Sequence, residues 1–210
     1  MERPSPGPTP SGRRPRADAA RNRSRLVAAA RNAMAADGAN VSLERVARDA
    51  GVSIATLYRH FPQRDALIEA VYQDEVGALV AAADDLRARQ EPVVALREWL
   101  LLFVDFLDSK QGMSEALGTL LQGPDALFRD SSDRLASCVD ALVRSARATG
   151  RLTTAIQPLD LLRAIGGIAS VSPNVDWKAS AERLVDVLLL GLGADADLVA
   201  DRSPHPGTTP

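Results

Sequence analysis

Apolar residues recur every three to four positions along most of this chain, and the rhythm is interrupted at glycines, prolines and short runs of capping residues. From Arg21 to Ala36, Leu26, Val27, Ala30, Ala33 and Met34 fall on one helical face, and Asp37-Gly38 supplies a stop. Ser42 then offers a side-chain oxygen to the orphan amides of a new turn, and Leu43, Val46, Ala47 and Ala50 form the stripe of a short helix over Ser42–Ala50. Gly51 stands where a helix end needs a positive φ, and Ser53 is a fresh N-cap three residues before Thr56, so a second short helix starts at about Ile54. Val52 and Leu57 face the first of these two helices. Phe61 closes the second against a core, and Pro62 cannot continue it.

The pattern downstream is also helical. A long helix is expected from about Gln63 to Arg89, with Leu67, Val71, Val76, Leu79, Val80 and Ala83 on its buried stripe, and Pro92 starts the next element. In the run REWLLLFVDFL, Arg97 to Leu107, Leu96, Leu100, Val104 and Leu107 cover one face and Trp99, Phe103 and Phe106 another, so this helix belongs inside a bundle. Its aromatic face suits a ligand cavity and a filled core alike, while Asp105, the lone charge in the run, reads as a surface-edge residue. A short helix over Met113–Leu121 is broken by Gly123-Pro124. A longer one follows to about Ala148, with Leu135, Cys138, Val139, Leu142 and Val143 on its stripe and Gly150 as its stop. Two helices close the chain, at about Pro158–Ala169 and Lys178–Gly191. The first carries Leu161, Leu162, Ile165 and Ile168 with Gly166 and Gly167, and the second Leu184, Val187, Leu188 and Gly191. Glycine inside a helix costs roughly 1 kcal/mol relative to alanine, so these glycines imply close approach of another backbone. The whole pattern predicts an all-α fold of about nine helices.

Composition narrows the compartment and the chemistry. No uninterrupted run of about 18 apolar residues occurs and the N-terminus lacks the apolar core of a signal peptide, so a cytoplasmic protein without a membrane span is expected. One cysteine, Cys138, leaves no intrachain disulfide and no Cys-rich zinc site, and reads as a small hydrophobe. The two histidines are His60 and His205, too few and too far apart for a His-centred triad or a metal cluster, and no Gly-rich phosphate loop is present. No enzyme, cofactor or metal is therefore expected, and Asp84-Asp85 reads as a solvated helix face.

The net charge of −2 conceals a polarity: Met1–Ala66 holds twelve Lys+Arg against six Asp+Glu, and the remainder thirteen against twenty-one. A basic end and an acidic body form the electrostatic footprint of a protein that meets a polyanion at one end. Five of the 13 prolines precede Arg21, so residues 1–20 read as a disordered basic arm. It carries Arg13, Arg14 and Arg16 just before Arg21, Arg23 and Arg25. Outward on the second short helix are Ala55, Thr56, Tyr58, Arg59 and His60, a small side chain with groups that suit a phosphate backbone and a groove. Two helices joined by a glycine-containing turn, the second presenting such a set, match a helix-turn-helix whose recognition helix enters the major groove.

The run AGVSIATLYRHFPQRDAL, through Ala50, Gly51, Val52, Ser53, Thr56, Leu57, Tyr58, His60, Phe61, Arg64 and Leu67, resembles the signature of the tetracycline-repressor (TetR) family of bacterial transcription regulators. The resemblance implies a three-helix DNA-binding head at 21–66, a ligand-binding and dimerisation body at 67–194 and a tail at 195–210 that is Pro-rich and disordered, leaving His205 without a role. It implies double-stranded DNA as partner, with Thr56, Tyr58, His60 and Arg64 on phosphates and Ile54, Ala55 and Glu44 or Arg45 where bases are read. Ser42, Ser53, Arg59 and the helix-start arginines Arg21 and Arg23 complete the expected DNA-contacting set. Ala55 stands where relatives often have glycine, and with Ile54 it offers only apolar contact, so specificity is expected to lean on Arg45, Arg59 or DNA shape. In the body the resemblance implies a pocket for an unknown small apolar or amphipathic ligand, lined by Trp99, Phe103, Phe106, Met113, Leu117, Leu120, Leu121, Cys138 and Leu142. It also implies a homodimer through the last two helices, at Leu162, Ile165, Gly166, Leu184, Val187, Leu188 and Gly191, with Trp177 capping the dimer or the pocket. The function expected is a ligand-responsive repressor on a palindromic operator; the alternative is a helical protein-interaction or small-molecule-binding module without operator binding.

Overall fold

The computed structural model describes residues 13–37, 41–112, 126–171, 176–195 and 197. Among them are eight α-helices and no strand: α1 (Arg13–Asp37), α2 (Leu43–Asp49), α3 (Ile54–His60), α4 (Arg64–Arg89), α5 (Pro92–Gly112), α6 (Ala126–Ala148), α7 (Pro158–Val171) and α8 (Trp177–Gly191). The expected short helix at Met113–Leu121, residues 172–175 of the expected loop and the tail beyond residue 197 lie outside the described residues. The chain divides into two compact units, Met1–Val71 and Tyr72–Pro210, and α4 begins in one and ends in the other.

In the first unit α1 packs on α2 and α2 on α3. The core is the expected set: Leu26, Val27, Ala30, Ala33 and Met34 of α1, Val46 and Ala47 of α2, Leu57 of α3, then Phe61, Leu67 and Val71. One boundary differs. α1 starts at Arg13, eight residues ahead of the expected Arg21. Proline-rich composition had argued for an arm here, but Pro15 falls in the first turn, where a missing N–H leaves no helical bond unmade, and the alanines and arginines after it favour helix. Residues Ala17–Arg25 are themselves exposed, with Asn22 alone partly covered, so propensity and the Asp18–Arg21 ion pair support these turns without a buried stripe.

In the second unit α5 is central, packed against α6, α7 and α8, with α7 also on α6 and α8. Leu96, Trp99, Leu100 and Val104 are fully or almost fully buried, as expected for a helix apolar on two faces. Trp99 stacks on Phe103 with ring centroids 6.0 Å apart and an interplanar angle of 5°, Phe103 on Phe106 at 6.0 Å, and Tyr72 of α4 meets Phe106 at 5.9 Å. The indole N–H of Trp99 donates to the carbonyl of Leu79 at 2.9 Å, tying α4 to α5. Nearer the start of α4, Gln73 donates to the buried Ser131 hydroxyl of α6 at 3.3 Å and accepts from Arg134 at 3.4 Å, while Ser109 of α5 donates to Glu75 at 3.0 Å. Burial raises the pKa of the Tyr72 phenol, against the opposing hydrogen bond with Ser131, and burial lowers that of Lys110. Two ion pairs fasten α8 to α5: Arg97–Asp186 at 2.8 Å and Lys178–Asp105 at 2.6 Å. Asp105 is thus at the surface edge, as expected, but held there by a partner. Burial works to lower the Lys178 pKa, and the hydrogen bond and charge of Asp105, joined by Asp108 and Glu182, outweigh it and raise the value.

Candidate nucleic-acid interface and body groove

The recognition segment is built by three local devices. Ser42, in extended conformation ahead of α2, accepts the Arg45 N–H at 3.3 Å and donates its own hydroxyl to Glu44 at 2.7 Å. That hydrogen bond, the first cause, and a backbone one lower the Glu44 pKa, so the carboxylate is charged at the start of α2, where the helix dipole favours it. The end of α2 closes as a Schellman turn: the Gly51 N–H bonds the Arg48 carbonyl at 3.0 Å and the Val52 N–H the Ala47 carbonyl at 3.0 Å. Such a turn needs a left-handed residue, and Gly51 has φ +65. Ser53 then caps α3, accepting from the Thr56 N–H at 3.2 Å and sharing a hydroxyl hydrogen bond with Thr56 at 2.9 Å. Phe61 ends α3 with its N–H on the Leu57 carbonyl at 2.8 Å.

These devices leave α3 with one buried side chain, Leu57. Ile54 is 36% exposed and Tyr58 47%, and Ala55 and Arg59 are also exposed, with Thr56, His60 and Arg64 partly so. An isoleucine and a tyrosine this open on a seven-residue helix stand outside the core formed by the described residues. Ser42, Glu44 and Ser53 are exposed and Arg45 is partly covered, paired with Asp49 at 3.6 Å. The expected contact set therefore shares one unit, on or beside α2 and α3, apart from two residues of α1. Arg21 is engaged by Asp18, and Arg23 lays its guanidinium over the Phe61 ring, 5.2 Å from the centroid. A residue absent from the expected set, Arg25, lies against Gly51, where an added Cβ would stand 2.5 Å from its Nη2. Periodicity gives no sign of this contact, since Arg25 is off the apolar stripe of α1.

In the second unit the expected pocket residues separate. Trp99, Phe103 and Phe106 are closed into the stacked row within the core, and Leu142 is fully buried. Met113, Leu117, Leu120 and Leu121 lie outside the described residues. Cys138 does line a cavity, an open groove of about 350 Å3 between α4 and α6. Its floor is apolar, with Val80, Ala83, Cys138 and Ala141, and its rim is charged, with Asp84, Arg87, Asp133 and Arg134. Asp84, expected on a solvated face, is exposed and paired with Arg87 at 3.7 Å, yet it also borders this groove. Burial first, then the nearby Asp84 charge, raise the Cys138 thiol pKa against the opposing Arg134 and Arg87.

The expected dimer residues divide in the same way. Ile165 is fully buried and Leu162 nearly so, because they sit on the face of α7 that packs within the chain. Leu184 and Leu188 are half-buried. Val187 is 61% exposed, and Leu190 one turn on in α8 and Leu159 at the start of α7, neither in the expected set, are also exposed. A Cβ added at Gly166, Gly167 or Gly191 would meet nothing within 4 Å, so among the described residues no other backbone makes the close approach those glycines imply. Trp177 opens α8 and is buried. Among the described residues no group of three or more His, Cys, Asp or Glu could hold a metal ion, and no helix is long and apolar enough to cross a membrane.

Known proteins share both units. Residues 26–71 match the family model of bacterial regulatory proteins of the tetR family, and residues 91–194 match that of the SbtR-like transcriptional regulator C-terminal domain. The chain is similar to the crystal structure of the TetR transcriptional regulator SCO0520 from Streptomyces coelicolor, with 40% identity, 83% of this chain and 99% of that one covered, and a TM-score of 0.73. It is similar to the TetR transcription regulatory protein from Mycobacterium vanbaalenii at 30% identity, with 85% and 99% covered and a TM-score of 0.67. Among curated proteins it is 27% identical over 123 residues to the nucleoid occlusion factor SlmA of Marinobacter nauticus, covering 58% of this chain and 63% of that protein's length.

Proposed function

We propose, given that the chain belongs to the TetR family of bacterial regulatory proteins, that it is a ligand-responsive repressor that binds a palindromic operator as a homodimer. The observation that carries this reading is the surface of α3. A helix capped at Ser53, turned in by Gly51 and anchored by Leu57 alone leaves Ile54, Ala55, Tyr58 and Arg59 exposed in a unit rich in arginine. Such a set suits a major groove, with Thr56, Tyr58, His60, Arg64 and Arg21 on phosphates and Ile54, Ala55, Glu44 or Arg45 toward bases. Dimerisation is supported by the exposed apolar residues Val187, Leu190 and Leu159 of α7 and α8, and by the space an added Cβ would have at the glycines of the same two helices. A small apolar or amphipathic ligand has space in the groove between α4 and α6. Because α4 runs unbroken from Arg64 to Arg89, a ligand that displaces its far half has a stiff path to the DNA-reading end.

The test is binding of the intact protein to duplex DNA from upstream of its own gene, followed by fluorescence anisotropy across a salt series. Affinity is expected to fall linearly on a log–log plot, steeply enough for several phosphate contacts per head. A Tyr58→Ala variant that binds as tightly as wild type, together with no preference for any sequence in a genome-wide binding screen, would favour a helical interaction module and overturn the proposal.

A further inference from the structure

The recognition helix is short. At seven residues, α3 has one buried side chain, and among the described residues the helix it packs on most closely is α2. A helix of that length does not hold its orientation by itself, yet reading base edges requires side chains placed to within fractions of an ångström. Something has to fix α3 at its two ends, and α1 reaches both. At the entrance, the Arg25 guanidinium lies against Gly51, the left-handed residue of the turn that launches α3, beside the carbonyl end of α2 where a cation is favoured. At the exit, the Arg23 guanidinium covers the ring of Phe61, the residue that caps α3, from 5.2 Å. Phe61 is itself buried, so the arginine closes the solvent side of an anchored ring.

We propose that Arg23 and Arg25 are positioning residues, a two-point clamp from α1 that sets the angle of α3, and that neither spends its charge on a phosphate. The distinction has measurable content. A phosphate ligand contributes to any duplex, and its loss lowers the salt slope by about 0.9 per contact and weakens specific and non-specific binding alike. A positioning residue acts only where base edges are read. Its loss weakens the specific complex, leaves the slope in place and leaves non-specific binding unchanged.

The experiment uses the full chain and two probes: a labelled duplex enriched by the wild-type protein from random-sequence DNA, and poly(dI-dC) as the non-specific duplex. Arg23→Gln is expected to weaken the enriched duplex about two- to five-fold per head, the range of an exposed cation–π contact, and Arg25→Gln to weaken it as well, each with slope and poly(dI-dC) affinity at wild-type values. In a Phe61→Leu background Arg23→Gln is expected to add no further loss, because its partner is gone. A slope reduced by about 0.9 per head, a parallel loss on poly(dI-dC), or an undiminished Arg23→Gln effect beside Leu at position 61 overturns the clamp. If Phe61→Leu does not fold, the slope and the two-probe comparison decide alone. The inference rests on the reading of this unit as DNA-binding. A wild-type chain that enriches no duplex defeats that reading, whereas a binding wild type with phosphate-like arginine variants defeats the clamp only.

Discussion

Trp99 decides between the two roles open to the aromatic face of α5. It is fully buried, stacked on Phe103, and its indole N–H is spent on the Leu79 carbonyl at 2.9 Å. Trp99→Phe removes that hydrogen bond, worth about 1 kcal/mol. It also leaves a void of roughly 40 Å3 where the larger ring system was, worth about another 1 kcal/mol at the cost per volume of core cavities. The Leu79 carbonyl sits inside α4 and keeps a helical acceptor role, so no larger penalty for a stranded group is due. The expected loss is about 2 kcal/mol, or roughly 4–8 °C in Tm for a chain of this size. Trp99→Ala, which empties the site, should cost about 3–5 kcal/mol. Urea unfolding followed by circular dichroism at 222 nm is the assay, since tryptophan fluorescence changes with the substitution itself. Wild type and variants must be compared at one protein concentration, because association adds to apparent stability. If Trp99 instead lined a ligand cavity, the Phe variant would keep wild-type stability to within about 0.5 kcal/mol, as surface-like substitutions do, and lose only the response to ligand. That result would refute the buried-anchor argument.

Other outcomes follow from single contacts. Gly51→Ala places a Cβ on a left-handed residue and against Arg25, and should destabilise the DNA-reading unit by about 1–2 kcal/mol, measured by thermal unfolding of the intact chain; no change would mean that the turn is not held at φ +65. For the Arg97–Asp186 pair, Asp186→Ala should cost about 2 kcal/mol and Arg97→Met about 1, because the arginine is only 13% exposed and is stranded when its partner goes, whereas the 34% exposed carboxylate can be rehydrated; equal or reversed losses in urea titrations would contradict this. Alkylation of Cys138 should follow a pH profile with its midpoint above that of an ordinary thiol, since its folded pKa is raised, and Asp84→Asn should move the midpoint down; with one cysteine in the chain the modified mass reports this site alone. Val187→Glu, at the most exposed apolar position of α8, should shift sedimentation equilibrium from dimer to monomer while leaving helix content unchanged, and a persisting dimer would move the interface elsewhere.

What the sequence disclosed, and what it withheld, divides by the range of the interaction. Ser42, Gly51 and Ser53 act within a turn of their own positions, so their roles could be read from spacing and are found in place, as are the core stripes of α1, α4 and α6 apart from Val80 and Cys138, which line the open groove. α1 starts ahead of the expected Arg21 because proline speaks against helix only in a helix interior, and Pro15 is in a first turn. The pocket and the dimer face posed a different difficulty. A helix apolar on two faces does not say which face meets its own bundle, so Trp99 and Val187 look alike in a pattern that records only hydrophobicity. Their separation into closed core and open surface depends on where α4, α6 and α8 lie against α5, and that arrangement is fixed by long-range contacts such as Trp99–Leu79 and Arg97–Asp186, each joining residues far apart in sequence. Arg23 and Arg25 belong with these. In the sequence they are two more arginines in a basic stretch, and charge alone assigns them to a phosphate. Only the position of Phe61 and Gly51 in space gives each a protein partner, and it is this that motivates the proposal that they support α3 instead of contacting DNA.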